Sequence, residues 1–418
     1  MRIAMVSEHA SPLAAIGGVD AGGQNVHVAA LATELARQGH EVEVYTRRDD
    51  PDLPEVVPLA PRAHVVHVPV GPARSVPKDE LLPFMDDFGR WMAARWTLTG
   101  PPDVLHAHFW MSGLAALRAA ATAGDVPVAQ TFHALGSVKR RYQGASDTSP
   151  EVRVRAETAI ARRVDVVIAT CSDEVAELAA LGVPASRVRV VPCGVDVERF
   201  APAPPARLGA FRTAAPPGGA SAGSRRRLLS VGRLVERKGV DTAVRALVAL
   251  PDAELLVAGG PPAEQLHHDA EARRLRAVAQ EAGVADRLRL LGAVSREEMP
   301  TLLRSVDVVV ATPWYEPFGI VPLEAAACAV PVVGTAVGGL LDTVEHDVTG
   351  LLVPPRDETA LAEALAGLLA DDARRARYGR AARRAALSRY SWERVAAQTD
   401  VAYRALVRPE SLAGVSAG

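Results

Sequence analysis

The sequence contains few cysteines and no short cysteine pairs. Only three of its 418 residues are cysteine: Cys171, Cys193 and Cys328. Their wide spacing does not match the short pairings that zinc and redox sites use. We therefore expect buried thiols in a reducing compartment.

Long apolar runs are also missing. Arg2 is followed only by Ile3 to Val6 before polar residues begin, so the apolar core of a signal peptide is absent. No apolar run approaches the length of about 20 residues that a membrane helix needs. These absences predict a cytoplasmic protein with no integral membrane segment, although a partner at a membrane surface stays open.

The charges nearly balance. Lys and Arg number 47 against 49 Asp and Glu, for a net charge of −2. Proteins that bind nucleic acid usually carry a basic surplus. We therefore expect no nucleic-acid partner, and any basic cluster must be interpreted locally.

Strands and helices alternate along most of the chain, and 418 residues suit two domains of about 150 to 200 residues each. Such alternation predicts parallel sheets covered on both faces, which is an α/β fold with two doubly wound Rossmann-like domains. Ligands of these sheets bind beyond the carboxyl ends of the strands, so we expect the site in a cleft between the domains. The predicted strands are Arg2–Val6, Glu41–Tyr45, Val65–Val68, Val104–His106, Val128–Thr131 and Val164–Ala169, then Leu228–Val231, Glu254–Ala258, Arg287–Leu291, Val306–Ala311 and Val330–Gly334.

A segment rich in Pro, Ala, Gly and Ser separates the two series of strands. Such a composition does not form a core. We predict an N-terminal domain at 1–198, a linker at 199–226 and a C-terminal domain at 227–391. A last helix, at about 392–408, is predicted to pack back on the first domain.

The stretch G-R-L-V-E-R-K-G directly follows the strand Leu228–Val231. It places Arg233 and Lys238 on a loop at the carboxyl end of that strand. Two fixed cations there would stabilise a diphosphate leaving group as its charge develops. A solvated basic loop is the alternative from these residues alone.

The stretch E-P-F-G-I-V-P-L-E follows the strand that ends near Ala311. Gly319 permits close backbone approach, and the N–H groups of 318–321 (Phe318, Gly319, Ile320 and Val321) should form an anion cradle at a helix start. Glu316 then precedes the helix and Glu324 lies in its second turn. The two carboxylates would contact different parts of one ligand.

Two glutamates with seven intervening residues, after an Arg/Lys loop, resemble the family 4 retaining glycosyltransferases of GT-B fold, and the likeness spans essentially the whole chain. The resemblance implies transfer from a nucleoside-diphosphate sugar, UDP-sugar being favoured, without a metal or other cofactor. It also implies that the domain at 1–198 binds the acceptor and the domain at 227–391 binds the nucleotide sugar. In the second domain, Arg233 and Lys238 would bind the diphosphate, Glu316 the sugar and Glu324 the ribose.

The resemblance assigns roles to two motifs that are weak evidence alone. Gly22 and Gly23 in A-G-G-Q-N-V would approach the donor phosphates and the acceptor at the start of the first helix. A single histidine is more often structural than catalytic, but the family places one in the position of His133, where it contacts the donor sugar. His106 and His108 lack further ligands at a zinc spacing, so we interpret them as packed strand-end residues.

The acceptor prediction follows two groups within the family, the mycothiol-pathway N-acetylglucosaminyltransferases that act on inositol phosphate and the sucrose-phosphate synthases. Both use phosphorylated acceptors, so we expect a small phosphorylated sugar or cyclitol. Trp110 and Ala134 stand where the first group has tyrosine and threonine, and Trp110 is predicted to stack on an acceptor ring. The acceptor residues implied by the resemblance are Asn25, Lys78, Lys139 and Arg153.

Two alternatives to this function stay open, and two other enzyme classes lack their motifs. A neutral aminocyclitol or another secondary metabolite is the alternative acceptor, and a non-catalytic nucleotide-sugar-binding protein is the alternative class. A nicotinamide-dependent oxidoreductase would need G-x-G-x-x-G after its first strand, and a glycogen-phosphorylase-like enzyme would need a lysine for pyridoxal phosphate; neither motif is found. A homodimer is one option for the oligomeric state.

Overall fold

The computed structural model describes residues 1–14, 22–202 and 225–407. The chain divides into two compact units: Met1–Pro192 with Trp392–Gly418, and Cys193–Ser391. The glycine pair at 17 and 18, Ala21, most of the predicted linker and residue 408 lie outside the described residues.

The first unit is built on an eight-stranded sheet whose order is β3-β4-β2-β1-β5-β6-β7-β8. All neighbours are parallel except β3, which runs antiparallel to β4 at the edge. The strands are β1 Arg2–Val6, β2 Glu41–Arg47, β3 Val56–Ala60, β4 Ala63–Val68, β5 Val104–His108, β6 Val128–Thr131, β7 Val166–Ala169 and β8 Val188–Val190.

Helices cover both faces of this sheet. In α1, Val28, Leu31 and Leu35 repeat at helical spacing and are buried, and Gly39 follows the helix with left-handed backbone. The helices are α1 Gly23–Arg37, α2 Met85–Thr99, α3 Trp110–Ala123, α4 Gly136–Gln143, α5 Arg153–Arg163, α6 Ser172–Ala180 and, from the end of the chain, α14 Trp392–Val407.

The last helix, α14, belongs to the core of the first unit. Its residues Val395 and Tyr403 are fully buried in the same apolar cluster as Leu31 and Leu35 of α1. The C-terminal segment therefore covers one face of the first sheet.

The second unit is built on a six-stranded, fully parallel sheet of order β11-β10-β9-β12-β13-β14. Apolar clusters lie on its two faces. Its strands are β9 Arg226–Val231, β10 Ala253–Ala258, β11 Leu288–Gly292, β12 Val308–Ala311, β13 Val332–Thr335 and β14 Gly350–Val353. Its helices are α7 Val240–Ala246, α8 Ala270–Glu281, α9 Met299–Arg304, α10 Ile320–Ala327, α11 Leu340–Thr343, α12 Glu358–Ala370 and α13 Asp372–Arg389.

The division between the units falls earlier than the predicted boundary at 198. Cys193, Val195 and Phe200 are buried in an apolar cluster of the second unit. The N–H of Val195 also donates a hydrogen bond of 2.8 Å to the carbonyl oxygen of Tyr390. Burial of these side chains, which follow β8, moves the boundary to Pro192, and Arg226 begins β9 instead of ending a linker.

Three strands of the structure, β3, β8 and β14, were not predicted, and each has a local feature that explains why. β3 contains Pro58 and lies at a sheet edge, where proline is tolerated. β8 has three residues, of which two are exposed, and β14 is a short strand of four residues that begins with Gly350. Within the described residues, none of the helices is both long and apolar enough to span a bilayer.

Candidate active site

Two loops of the second unit pack closely against each other where β9 and β12 end. Gly239 closes the loop that carries Arg233 and Lys238, and its backbone is left-handed with φ of 62°. A Cβ atom at Gly239 would lie 2.0 Å from the carbonyl oxygen of Thr312. The Thr312 hydroxyl also donates a hydrogen bond of 2.8 Å to the carbonyl oxygen of Gly239. This close approach requires glycine, and it holds the cationic loop against the loop after β12.

Lys238 and Glu316, which the motifs place in different parts of a donor site, form an ion pair. Nζ of Lys238 lies 2.5 Å from Oε2 of Glu316, and the two side chains are 21% and 14% exposed. Burial alone would raise the pKa of Glu316, but the charge of Lys238 and its hydrogen bond outweigh this effect and lower the pKa. Glu316 is therefore ionised at neutral pH and holds Lys238 at the loop.

The helix start predicted near Gly319 is confirmed. Gly319 is the N-cap of α10 with left-handed backbone, and the helix begins at Ile320. The N–H of Gly339, from the loop after β13, donates a hydrogen bond of 2.7 Å to the carbonyl oxygen of Glu316. Because the first N–H groups of a helix lack partners within it, residues 319–321 can offer donors to an anion. The N–H of Phe318 instead donates a hydrogen bond of 3.4 Å to Oε1 of Glu316.

One cavity gathers four of the predicted donor residues: Arg233, Lys238, Glu316 and Val321 line it. Arg233 is exposed to solvent. Two cations, a carboxylate and a helix N-terminus thus lie at the carboxyl edge of one parallel sheet. This arrangement suits a phosphorylated ligand that also carries hydroxyl groups.

Glu324 lies in the second turn of α10, as predicted. Burial raises its pKa to about 7, although the positive charge of Arg296 acts in the opposite direction. The carboxyl group is thus poised between its two protonation states near neutral pH. Arg296, on the loop after β11, has no motif that would have indicated its proximity to Glu324.

In the first unit, the side-chain amide of Asn25 in α1 is hydrogen-bonded at both its oxygen and its nitrogen. The N–H of Gly22 donates a hydrogen bond of 3.0 Å to Oδ1 of Asn25. Nδ2 of Asn25 donates in turn to the carbonyl oxygen of Ser11 at 2.9 Å, and Asn25 is only 4% exposed. Gly22 is the N-cap of α1 and Gly23 its first residue, and the amide of Asn25 connects Gly22 with Ser11.

His133 follows β6 in a strained conformation. Its φ is 63°, a left-handed value that is uncommon for residues other than glycine, and the residue is 3% exposed. Strain of this kind clusters at functional sites. The backbone conformation of His133 therefore indicates a functional position independently of the sequence motif.

The ring of His133 belongs to a cluster of buried histidines. Its Nε2 lies 2.9 Å from Nδ1 of His108. The His27 ring centroid lies 5.2 Å from that of His133, and the rings of His106 and His108 are 4.0 Å apart. Burial lowers the pKa of all four histidines, to about 4 for His27 and about 3 for His106. The cluster is therefore neutral at pH 7, and the packed-strand-end interpretation of His106 and His108 is confirmed.

Lys139 and Arg153, two predicted acceptor ligands, meet at one hydroxyl group. Ser149 Oγ lies 2.8 Å from Nζ of Lys139 and 3.0 Å from Nη1 of Arg153. Each cation also has a carboxylate partner at 2.8 Å: Asp147 for Lys139 and Glu157 for Arg153. The two cations are thus already neutralised within the first unit.

Lys78 is connected to the Lys139 and Arg153 pair by the residue that follows it in the chain. Lys78 begins a short 3-10 turn, and the following residue, Asp79, accepts a hydrogen bond of 3.1 Å from the Thr148 hydroxyl. Thr148 precedes Ser149 directly. The segment 147–149 therefore connects the loops and helices that carry Lys78, Lys139 and Arg153, the three predicted acceptor-binding cations.

The prediction that Trp110 stacks on an acceptor is wrong. Trp110 begins α3 and is 1% exposed within the main apolar cluster of the first unit. The reason is that α3 packs closely on the sheet from its first residue. Phe109 takes left-handed backbone with φ of 83° and lies beneath Arg153, whose guanidinium carbon is 5.0 Å from the ring centroid.

Comparisons with known proteins agree with the resemblance. The family model "Glycosyltransferase Family 4" matches residues 21–199, and "Glycosyl transferases group 1" matches residues 212–385. A D-inositol 3-phosphate glycosyltransferase from Xylanimonas cellulosilytica is 39% identical over 97% of this chain and 97% of its own length. The corresponding protein of Salinispora tropica is 36% identical over 94% of this chain and 83% of its own length.

Solved structures extend the likeness to the fold. A sucrose-phosphate synthase from Thermosynechococcus elongatus has a TM-score of 0.85 and 33% identity, with 97% of this chain and 98% of that chain covered. Anabaena HepE in complex with UDP and glucose has a TM-score of 0.72 at 19% identity, with 97% and 99% covered, and shows the fold alone. The chain therefore belongs to the family 4 glycosyltransferases of GT-B fold.

Proposed function

We propose that this glycosyltransferase moves a hexosyl group from a nucleoside-diphosphate sugar, UDP-sugar being favoured, to a small phosphorylated sugar or cyclitol, with retention at the anomeric carbon. The observation that carries the proposal is the cavity lined by Arg233, Lys238 and Glu316 at the start of α10. Support for the acceptor class comes from similar proteins whose names include inositol 3-phosphate and sucrose phosphate.

The chemistry assigned to the donor site is the stabilisation of a leaving group. The bond between the anomeric carbon and the phosphate oxygen breaks while an acceptor oxygen bonds to the same face of the sugar. The acceptor proton passes to an oxygen of the departing diphosphate, so we assign no general base. Arg233, Lys238 and the N–H groups of 319–321 would balance the developing charge, and the proposal therefore needs no metal ion or cofactor.

Glu316 and His133 have roles at the sugar in this proposal. Glu316 is ionised and accepts hydrogen bonds from sugar hydroxyls, while Lys238 turns towards the diphosphate. His133 is neutral because burial lowers its pKa, so it contributes a hydrogen bond and no charge. The cytoplasmic location and a homodimeric state stay predictions.

Glu324 should make donor binding depend on pH. Its pKa is about 7 in the free protein, and ribose hydroxyls donate to the ionised form, so binding favours loss of the proton. The donor Kd should rise as pH falls below 7, by up to about tenfold per pH unit. Calorimetric titration with UDP from pH 8 to pH 5.5 measures this slope, and Glu324→Gln should abolish it.

Glu324→Gln also distinguishes the effect of this carboxyl group on donor binding from its effect on the stability of the fold. The folded-state pKa of Glu324 lies above that of the unfolded chain, so the protonated carboxyl stabilises the fold and this contribution is lost as pH rises through about 7. Glu324→Gln should therefore raise the Tm at pH 8 and change it little at pH 5. A Tm that falls at pH 8, or a wild-type Kd that is flat with pH, would remove the assigned role of Glu324.

Lys78→Ala tests the phosphorylated acceptor. Wild type should prefer the phosphorylated member of matched acceptor pairs, tested with several UDP- and GDP-sugars. The substitution should raise the KM for the phosphorylated member by about tenfold or more and hardly change that for the neutral one. Arg74→Ala, which removes an exposed cation four residues upstream, is the matched control and should keep the preference.

A neutral aminocyclitol acceptor is the second candidate. The observation that favours it is the pairing of Lys139 with Asp147 and of Arg153 with Glu157, because both of these predicted acceptor-binding cations already have a carboxylate partner. Equal use of both acceptors by wild type, or a preference that survives Lys78→Ala, would favour this candidate over the phosphorylated one.

A further inference from the structure

Glu8 and His9 lie on the loop after β1, and the proposed reaction assigns a role to neither of them. Glu8 is completely buried. Because β1 pairs in parallel with β5, the residues that follow these two strands meet at the same edge of the first sheet. Ligands of parallel sheets bind at this carboxyl edge, so both side chains lie where a ligand of the first unit is expected.

The buried carboxyl group of Glu8 is held from several sides. The N–H of Glu8 donates a hydrogen bond of 3.1 Å to the Ser112 hydroxyl, which donates in turn to Oε2 of Glu8. The carbonyl oxygen of Glu8 accepts a hydrogen bond of 3.1 Å from the N–H of Arg47. Burying a carboxyl group is costly unless its oxygens have partners. Ser112 satisfies one oxygen, and the other, Oε1, faces His9.

His9 is fixed at one ring nitrogen and accessible at the other. Its Nδ1 lies 2.7 Å from Oε1 of Glu8, and its ring packs edge-on against Phe109 with the centroids 4.9 Å apart. The side chain is 12% exposed. In the described part of the chain, the buried histidine nitrogens without a hydrogen-bond partner are Nε2 of His108 and Nδ1 of His133, and Nε2 of His9 is not one of them. Nε2 of His9 is therefore the nitrogen that a ligand can reach.

His9 adjoins residues predicted for both reactants. Phe109, against which His9 packs, also carries Arg153, whose guanidinium carbon lies 5.0 Å from the Phe109 ring centroid. His9 is also close enough to His133 to affect it: burial lowers the pKa of His133, and positive charge on His9 lowers it further. Arg153 is predicted to bind the acceptor and His133 the donor sugar. His9 therefore lies near the place where the new bond would form.

We propose that His9 binds a hydroxyl group of the acceptor through Nε2, and that Glu8 is a positioning residue that holds the His9 ring for this contact. The inference rests on the proposed function, because it needs an acceptor bound beside Arg153. A hydroxyl group can donate to an imidazole nitrogen or accept from it, so the contact does not depend on where the ring proton lies. It needs no phosphate either, and it serves a phosphorylated and a neutral acceptor alike.

His9→Phe tests the contact, because it keeps a ring against Phe109 and removes both nitrogens. The acceptor KM should rise by about tenfold for both members of a matched pair, such as inositol phosphate and inositol, while the UDP Kd stays within about threefold. Equal factors for the two members distinguish His9 from Lys78, whose loss should affect the phosphorylated member alone. His64→Phe, which replaces an exposed histidine of β4, is the matched control and should keep the wild-type KM.

Glu8 is tested through its effect on His9. Glu8→Met removes both carboxyl oxygens at similar volume and should raise the acceptor KM of both members by about fivefold. Glu8→Gln, whose amide can hydrogen-bond with Nδ1 in either direction, should keep a KM near that of wild type. In the His9→Phe background, Glu8→Met should add no further increase, because Glu8 acts through that ring. A role of Glu8 in stability alone would lower the Tm and leave the acceptor KM unchanged.

The outcomes separate this contact from the proposed function. A folded His9→Phe protein with a wild-type acceptor KM, or a Glu8→Met effect that persists in the His9→Phe background, would overturn the contact. If His9→Phe does not fold, a wild-type acceptor KM in Glu8→Met overturns it. Wild-type protein that transfers sugar to none of the acceptors would instead overturn the proposed function, and the acceptor contact with it.

Discussion

Lys238→Ala should lower kcat by about 30- to 1,000-fold, which corresponds to about 2 to 4 kcal/mol of transition-state stabilisation. The reason is that the diphosphate gains charge only as its bond to the sugar breaks, so a cation at this position acts mainly in the transition state. The donor KM should change much less than kcat. Steady-state kinetics with saturating acceptor measure both parameters.

Arg237→Ala is the matched control for that substitution. Arg237 is the neighbouring cation on the same loop, but it lies over the Tyr315 ring at 5.2 Å and does not line the cavity with Lys238. Its removal should leave kcat within about threefold. An unchanged kcat in Lys238→Ala, or equal losses in the two variants, would take Lys238 out of the chemistry.

The loss of Lys238 should also alter Glu316. Burial raises the pKa of Glu316 and Lys238 lowers it, so removing the cation lets the pKa rise. The remaining activity of Lys238→Ala should therefore fall further at low pH than that of Arg237→Ala. This secondary effect distinguishes the ion pair from a cation that acts on the diphosphate alone.

Gly239→Ala should destabilise the second unit by about 2 to 4 kcal/mol. Left-handed backbone costs a non-glycine residue about 1 kcal/mol, and the Cβ atom would lie 2.0 Å from the Thr312 carbonyl oxygen, which adds an overpacking cost of about 1 to 3 kcal/mol. A shift of this loop to relieve the clash would also move Lys238, the residue that precedes Gly239. We therefore expect a lower kcat/KM as well as a lower urea midpoint.

Gly283→Ala separates the two costs. Gly283 also has left-handed backbone in the second unit, with φ of 68°, but a Cβ atom there would meet nothing within 4 Å. This variant should lose only about 1 kcal/mol and keep wild-type kinetics. Equal urea midpoints for the two variants would show that the approach of Gly239 to Thr312 does not constrain the loop.

The strand and loop pattern of the sheets was largely predictable. β1 and β6 match their predicted bounds because short apolar runs bounded by polar or glycine-rich segments leave little choice of ends. The start of α10 was predictable because Gly319 and the residues after it have a clear helix-start pattern. Edge strands such as β3 were not, because a proline within a short exposed segment does not resemble a strand.

Sequence motifs identified residues of the candidate site more readily than they identified the contacts between those residues. Motifs indicated that Lys238 and Glu316 serve one ligand, but their pairing depends on how two loops 78 residues apart pack. The cluster of buried histidines depends on His27 of α1, His106 and His108 of β5, and His133 after β6 meeting in the fold, and no sequence spacing indicates these contacts. Trp110 was placed wrongly because an aromatic residue at a strand end resembles a ligand platform until the packing of α3 is known.

The most direct test of the proposed function is the anomeric configuration of the product, measured by proton NMR in the presence of EDTA. The reaction contains purified protein, an α-linked nucleoside-diphosphate sugar and a phosphorylated cyclitol or sugar. A retaining, metal-independent transfer predicts one α-linked glycoside, formed in step with release of the nucleoside diphosphate and at an undiminished rate in chelator. A β-linked product, hydrolysis of the donor without transfer, or activity that vanishes in EDTA and returns with Mg²⁺ would contradict it.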